Sequence, residues 1–213
     1  MKLSKKAGGV VVAGVLAATA ALSASGATAQ GARYRADLRP VPHAASADAG
    51  SNVTGTAIVS RVASRVSVRL NARGLTPGLP HAMHIHGELK ARNECPPARA
   101  DVNDQVSSTD PGTPDGLVSL GEGFPFYGPV QVSFTTSGDT SDASALALDR
   151  FPVAQADGDL SYERRIMVPH KIAAKTGKLH VVVHGVDLDG DGAYSNLQEA
   201  TLPVACGELN HTP

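Results

Sequence analysis

The chain has 213 residues, 42% hydrophobic but only 4% aromatic, with 19 Lys and Arg against 20 Asp and Glu for a formal charge of −1. That balance offers no electrostatic footprint for a phosphate backbone. The sequence shows no basic patch interleaved with aromatics, so nucleic acid is excluded as a partner class.

The first residues read as an export signal. Lys2, Lys5 and Lys6 form a positive n-region, the stretch from Ala7 to Leu22 is apolar and small, and Ala27-Thr28-Ala29 is a small-x-small cleavage site. Residues 1–29 are therefore expected to be a signal peptide cut after Ala29, which makes the protein secreted, periplasmic or held at the cell surface. The apolar stretch is shorter than the roughly 20 residues a bilayer crossing needs and no stop-transfer run follows, so no membrane span is expected in the mature chain. Losing three lysines takes the charge of the mature chain from −1 to about −4. Residues 30–50 give an edge strand, "RYRADLR", and an Ala/Ser-rich linker, and residues 51–213 form the main domain.

Within that domain, residues 53–62, 65–75, 81–89, 128–136, 160–169 and 178–188 alternate apolar and polar side chains between clusters of Gly, Pro, Asp and Ser. This is the pattern of half-buried antiparallel strands, and no stretch sustains a 3.6-residue apolar stripe. The predicted fold is all-β, a Greek-key barrel or sandwich. Residues 96–116 and 189–203 break the alternation and are expected to be long surface loops of the kind that carry function. Two cysteines, Cys95 and Cys206, favour one disulfide in an exported chain over free thiols, with a metal site as the rival reading. Closing so long a loop is worth on the order of 4 to 5 kcal/mol in the chain-entropy picture.

Chemistry concentrates in "HAMHIHGELKARNEC", residues 81–95. Residues two apart on a strand project from one face, so His84 and His86 can present two imidazoles to one point. Neutral imidazole suits copper or zinc. "HVVVH" places His180, Val182 and His184 on another shared face. An isolated H-x-H is more often a solvated or hydrogen-bonded pair than a metal site, so the pair alone does not decide the matter. His81 is out of phase with the pair and is read as structural. His43 and His211 fall in chain ends and receive no role, and His170 follows Pro169 in a loop as a reserve candidate.

Taken together, these segments resemble the copper/zinc superoxide dismutases. The run "VTGTAIVSRVASRVSVRLNARGLTPGLPHAMHIHG" is similar to the second to fourth strands of that family, with its "GLTPG" turn, following histidine and H-x-H pair. Cys95 lies nine residues beyond His86, "VACGEL" surrounds Cys206, and Val182-Val183-His184 matches the strand end of the family's late copper histidine. The resemblance spans residues 53 to 208 with a poorly aligned middle. It implies a Greek-key barrel, His84, His86 and His184 as copper ligands, a Cys95–Cys206 bridge and superoxide as the species met at copper.

The chain also departs from the family. It has no histidine between His86 and His170, so the bridging ligand and the zinc site of the family are missing: copper is expected and zinc is not. Pro203 stands where the resemblance expects a guiding arginine. "DLDGDGAYSNLQE" places Asp187, Asp189 and Asp191 at positions 1, 3 and 5 of a calcium-type loop with Gly192 at 6, but position 12 is Gln198 and no helices flank it. These acids are read as a solvated turn, a calcium site, or, for Asp187, support behind the copper histidines. "DGLVSLGEG" has a more degenerate version of the same look. The expected function is an exported, superoxide dismutase-like protein holding one copper. The alternative is a non-catalytic copper- or calcium-binding module on the same fold, and chordin-type domains, with a similar HxHxG strand, are a more distant relation.

Overall fold

The computed structural model describes residues 31–43, 52–90, 94–102 and 115–213. The signal peptide expected over residues 1–29, most of the linker and the centre of the 96–116 loop lie outside the described residues. The described chain is an all-β fold in which every strand pairing is antiparallel.

The strands are β1 (Ala32–Pro40), β2 (Thr54–Val62), β3 (Arg65–Arg73), β4 (Met83–His86), β5 (Val130–Ser133), β6 (Leu160–Met167), β7 (His180–His184), β8 (Pro203–Glu208) and β9 (Asn210–Thr212). They form one curled sheet in the order β5-β4-β7-β8-β1-β2-β3-β6, with β9 against β1. In β3 the alternation is plain: Val66, Val68, Leu70 and Ala72 are buried while Arg65, Arg69 and Arg73 are exposed. Inward-facing residues of all the long strands merge into one core that includes Leu38, Val59, Leu70, Ile85, Phe134, Ile166 and Val183. The segment just after β5 is tied by side chains to β6, at the other end of the order. The Tyr162 hydroxyl donates to the Thr135 carbonyl at 3.1 Å, and Arg164 donates to the same carbonyl at 2.7 Å.

Three features differ from the sequence reading. The strand expected at an edge, β1, has neighbours on both sides, pairing with β2 on one and with β8 and β9 on the other. Strand β8 was hidden by its own composition, since "PVACGE" begins with Pro, contains Gly and is buried almost throughout, so it shows no alternation. The stretch "LVSLGEG" opens a helix, α1 (Leu120–Tyr127), rather than an ion loop: Ser119 and Glu122 form a reciprocal capping box. With two glycines and a proline in eight residues, α1 carries too few apolar positions for a period to be seen. Two shorter α-helices, α2 (His170–Ala173) and α3 (Leu197–Thr201), flank β7. No helix among the described residues is long and apolar enough to cross a membrane.

A second, smaller apolar cluster lies outside the barrel, where Val182 and Cys206 of the sheet meet Val41, Ala100, Val118 and Tyr127. Cys95 and Cys206 form a disulfide with 5.7 Å between their Cα atoms. It pins the loop before α1 onto the outer surface of β8. Among the described residues no cysteine is free, and such a bridge is a feature of oxidising surroundings.

Candidate metal centre

Strands β4 and β7 are neighbours, with His84 opposite Val182 and His86 opposite His180. Because Met83, Ile85, Val181 and Val183 take the inward positions, the even-numbered histidines point outward, toward the loops that roof this part of the sheet. A register shift between Val183 and His184 turns the last histidine toward the pair. His84, His86 and His184 then offer one nitrogen each within a group spanning no more than 4.8 Å. Their ring centroids stand 5.2, 5.3 and 5.4 Å apart. His180 is buried in the same row but is not one of the three that converge.

Backbone carbonyls decide which nitrogen each ring presents. His84 Nε2 lies 3.1 Å from the Ala145 carbonyl, His86 Nδ1 lies 2.8 Å from that of Gly128, and His184 Nδ1 lies 2.8 Å from that of Thr201. A carbonyl only accepts, so the facing nitrogen carries the ring's proton and its other nitrogen is left with a lone pair. The inward lone pairs are those of His84 Nδ1, His86 Nε2 and His184 Nε2. Two observations fit this set to a cation. His84 Nδ1 is buried with no hydrogen-bond partner. His86 Nε2 and His184 Nε2 sit 3.3 Å apart although neither has a proton to donate once its Nδ1–H is committed.

Burial keeps the rings neutral, the form that ligates. Desolvation, joined by repulsion from His184 and His86, holds His84 well below the ordinary histidine value. Desolvation and the neighbouring His184 bring His86 down to about 3. Desolvation brings His184 down to about 4, against a small upward pull from the Thr201 carbonyl. All three are at most 3% exposed. Phe151 packs edge-on against His84 at 5.3 Å, and Tyr127 against His86 at 4.8 Å between centroids.

Each orienting carbonyl is itself held. The Ala145 segment is stapled by Asp139, which accepts from the hydroxyls of Ser141 and Ser144 at 2.7 and 2.6 Å. Those bonds, led by Ser144, bring the Asp139 carboxyl down to about 2. Arg150 closes the staple by donating to Ser144 Oγ and to the carbonyls of Ser137 and Asp139. Gly128 is the C-cap of α1. Thr201 ends α3, whose N-cap Asn196 accepts from the Glu199 amide. Glu199, 2% exposed, accepts from the amides of Leu188 and Ser195 and so folds the 185–203 loop around itself. The glycine after His184, Gly185, has φ 105° and lies where a Cβ would run into the Tyr194 hydroxyl.

Asp139, Arg150, Tyr127 and Glu199 were not foreseen from the sequence. The only local signals were cap patterns, Ser119-x-x-Glu122 and Asn196-x-x-Glu199.

Other expectations fare differently. His81 is fully buried and structural, with Nδ1 3.1 Å from the His184 carbonyl and Nε2 3.1 Å from that of Thr76. His43 is not a loose end. Its Nδ1 accepts from the Val118 amide and its Nε2 faces the Pro203 carbonyl, both at 2.9 Å, which ties the roof to β8. His211 belongs to β9 and packs edge-on against Tyr34. His170 is an exposed residue at the start of α2. Pro203 is buried and in register with His184.

Asp187, Asp189 and Asp191 do come together, each offering an oxygen within 4.8 Å of the others, and they are far more exposed than the histidines. Among the described residues the hydrogen bonds of the Asp187 carboxylate stay within its own loop. Its two oxygens accept from the amides of Gly190 and Gly192, and Asp189 and Asp191 accept from the Asp191 and Ala193 amides and from the Ser195 hydroxyl.

A comparison with protein-family models finds no match for the chain, and a comparison with curated proteins finds none either.

Proposed function

We propose that the three-histidine centre is a copper site and that the protein is an exported relative of the copper/zinc superoxide dismutases that has kept the copper position without the zinc position. The observation that carries this reading is the set of three buried, inward lone pairs, each fixed by a carbonyl behind it. Three imidazole nitrogens are a donor set suited to copper. Copper bound there supplies one-electron exchange with a small oxidant or reductant, and superoxide is the species named by the resemblance.

The chain's own residues set the terms of that exchange. His84, His86 and His184 hold the ion, the Ala145, Gly128 and Thr201 carbonyls keep the ring protons on the outside, and Tyr127 and Phe151 exclude water from two sides. Pro203, buried beside His184, supplies no cation to draw in an anion. The second reading is a non-catalytic copper holder, favoured by the 3, 2 and 2% exposure of the three histidines. Calcium at the Asp187 cluster is a separate reading of the acidic loop.

Metal analysis of protein from the exported fraction tests the first claim: one copper per chain and no retained zinc are expected. Stopped-flow decay of superoxide separates the two readings. A rate well below the diffusional ceiling of about 10⁸–10⁹ M⁻¹s⁻¹ with weak salt dependence supports a slow enzyme, no acceleration over free buffer supports the holder, and zinc in place of copper would sink both.

A further inference from the structure

Among the described residues no element covers the outer face of β1, β2, β3 and β6, and arginines gather there. Along β1, β2, β3 and β6 the register places Arg33, Ser60, Ser67 and Arg165 in one row across four strands. The next row toward the β2–β3 turn holds Val62, Arg65 and Met167. With strands about 4.8 Å apart, Arg33 and Arg165 stand roughly 14 Å from one another with two hydroxyls between them. The three arginines are exposed and border a shallow groove of about 420 Å³ with Ser60, Ser67 and Val62.

Charge on this face is uneven. Arg35 pairs with Asp37 at 2.7 Å and Arg69 with Glu163 at 2.8 Å, so the face's acids are already engaged by its other arginines. Among the described residues Arg33, Arg65 and Arg165 make no side-chain hydrogen bond or close ion pair, and Arg165 feels Glu163 only at longer range, adding to Arg69 in holding that carboxyl down. Beside them Val62 is 47% and Met167 66% exposed.

We propose that this face docks on an anionic lipid surface, with Arg33, Arg65 and Arg165 over the headgroup phosphates and Val62 and Met167 reaching the acyl boundary. Charge complementarity argues for an anionic partner, and the two exposed apolar side chains in the Arg65 row argue for a bilayer rather than a dissolved polyanion. Cationic side chains over partly buried apolar ones are the composition of an interfacial contact. The register brings all five groups to the same outer side of the curled sheet. No part of this surface touches the metal centre.

The test uses protein purified from the exported fraction, its N-terminus read by mass analysis, sedimented with vesicles of phosphatidylcholine alone or with phosphatidylglycerol added. Binding is expected only to the second and is expected to vanish in high salt. Each arginine at an anionic surface contributes roughly fivefold, so R33Q/R65Q/R165Q should lower partitioning on the order of 100-fold. V62S/M167S leaves the charge unchanged and should lower it on the order of tenfold. Both sets of positions are exposed, so an unchanged melting temperature shows that the variants are folded. Equal binding to both vesicle types, binding by the triple-glutamine variant like the parent, or a soluble polyanion held equally by the parent and V62S/M167S would each overturn the proposal.

Discussion

The chain carries two groups of three potential ligands, and they contrast at every level. The histidines come from two strands and are at most 3% exposed, and each has its outward nitrogen bonded to a carbonyl, so the lone pairs have nowhere to go but inward. The aspartates come from five consecutive residues of one loop, and their oxygens accept from that loop's own amides and hydroxyl. The first group is organised by its surroundings to leave a need unmet. The second satisfies itself and shapes a turn. Proximity of ligand atoms is common to both, so proximity alone does not define a metal site.

Removing a histidine should give the largest effect and would break the contrast if it failed. His84→Ala, His86→Ala and His184→Ala should each abolish stoichiometric copper retention after dialysis. The loss should exceed the roughly 100-fold that outer partners of a metal ligand can cost. Retention by any one of them would remove that residue from the centre.

The pH dependence of the metal-free protein comes next. Histidines held below their ordinary value bind protons more readily unfolded than folded. Stability is therefore complete above about pH 6.5 and falls as the pH drops toward the folded values near 4 and 3 of His184 and His86. Each ring kept neutral costs about 1.4 kcal/mol per pH unit in that window. Asp187, held below the ordinary carboxyl range by the amides of Gly192 and Gly190, contributes stability that is lost only as the pH falls further. Denaturant unfolding between pH 7 and 4 should show the histidine slope, and copper should suppress it.

The staple around Ala145 gives a middle-sized effect. Asp139→Asn or Arg150→Gln loosens the carbonyl behind His84 without touching a ligand. Copper affinity should fall about 10- to 100-fold, with a changed copper absorption or paramagnetic spectrum and an otherwise intact fold. An unaltered spectrum would mean that the carbonyl does not control His84. The smallest effect belongs to the acidic loop. Asp187→Asn should lower the melting temperature by a few degrees and leave copper content unchanged, and added calcium should leave the melting temperature where it was. A calcium-dependent rise abolished in Asp187→Asn would turn the loop into a second metal site.

The sequence by itself determined the strand alternation, since burying one face of a pleated strand demands a period of two, and that period is written in β2, β3 and β6. It determined that His84 and His86 share a face, because their spacing matches the pleat. It carried no signal for β8, whose two faces are both covered, or for the place of β1, because a strand's neighbours depend on chain segments far away. Nor did it reveal which nitrogen each histidine turns inward, a choice made by carbonyls at residues 128, 145 and 201. The arginines of "RYRADLR", "SRVSVR" and "ERR" are far apart in the chain, and nothing local sets them together. Only the registers of four strands align them, and only the tertiary structure shows that Asp37 and Glu163 are already engaged by Arg35 and Arg69. The physical reason is the same in each case: alternation is a local property of the backbone, whereas pairing, roofing and charge compensation are set by which distant segments end up side by side.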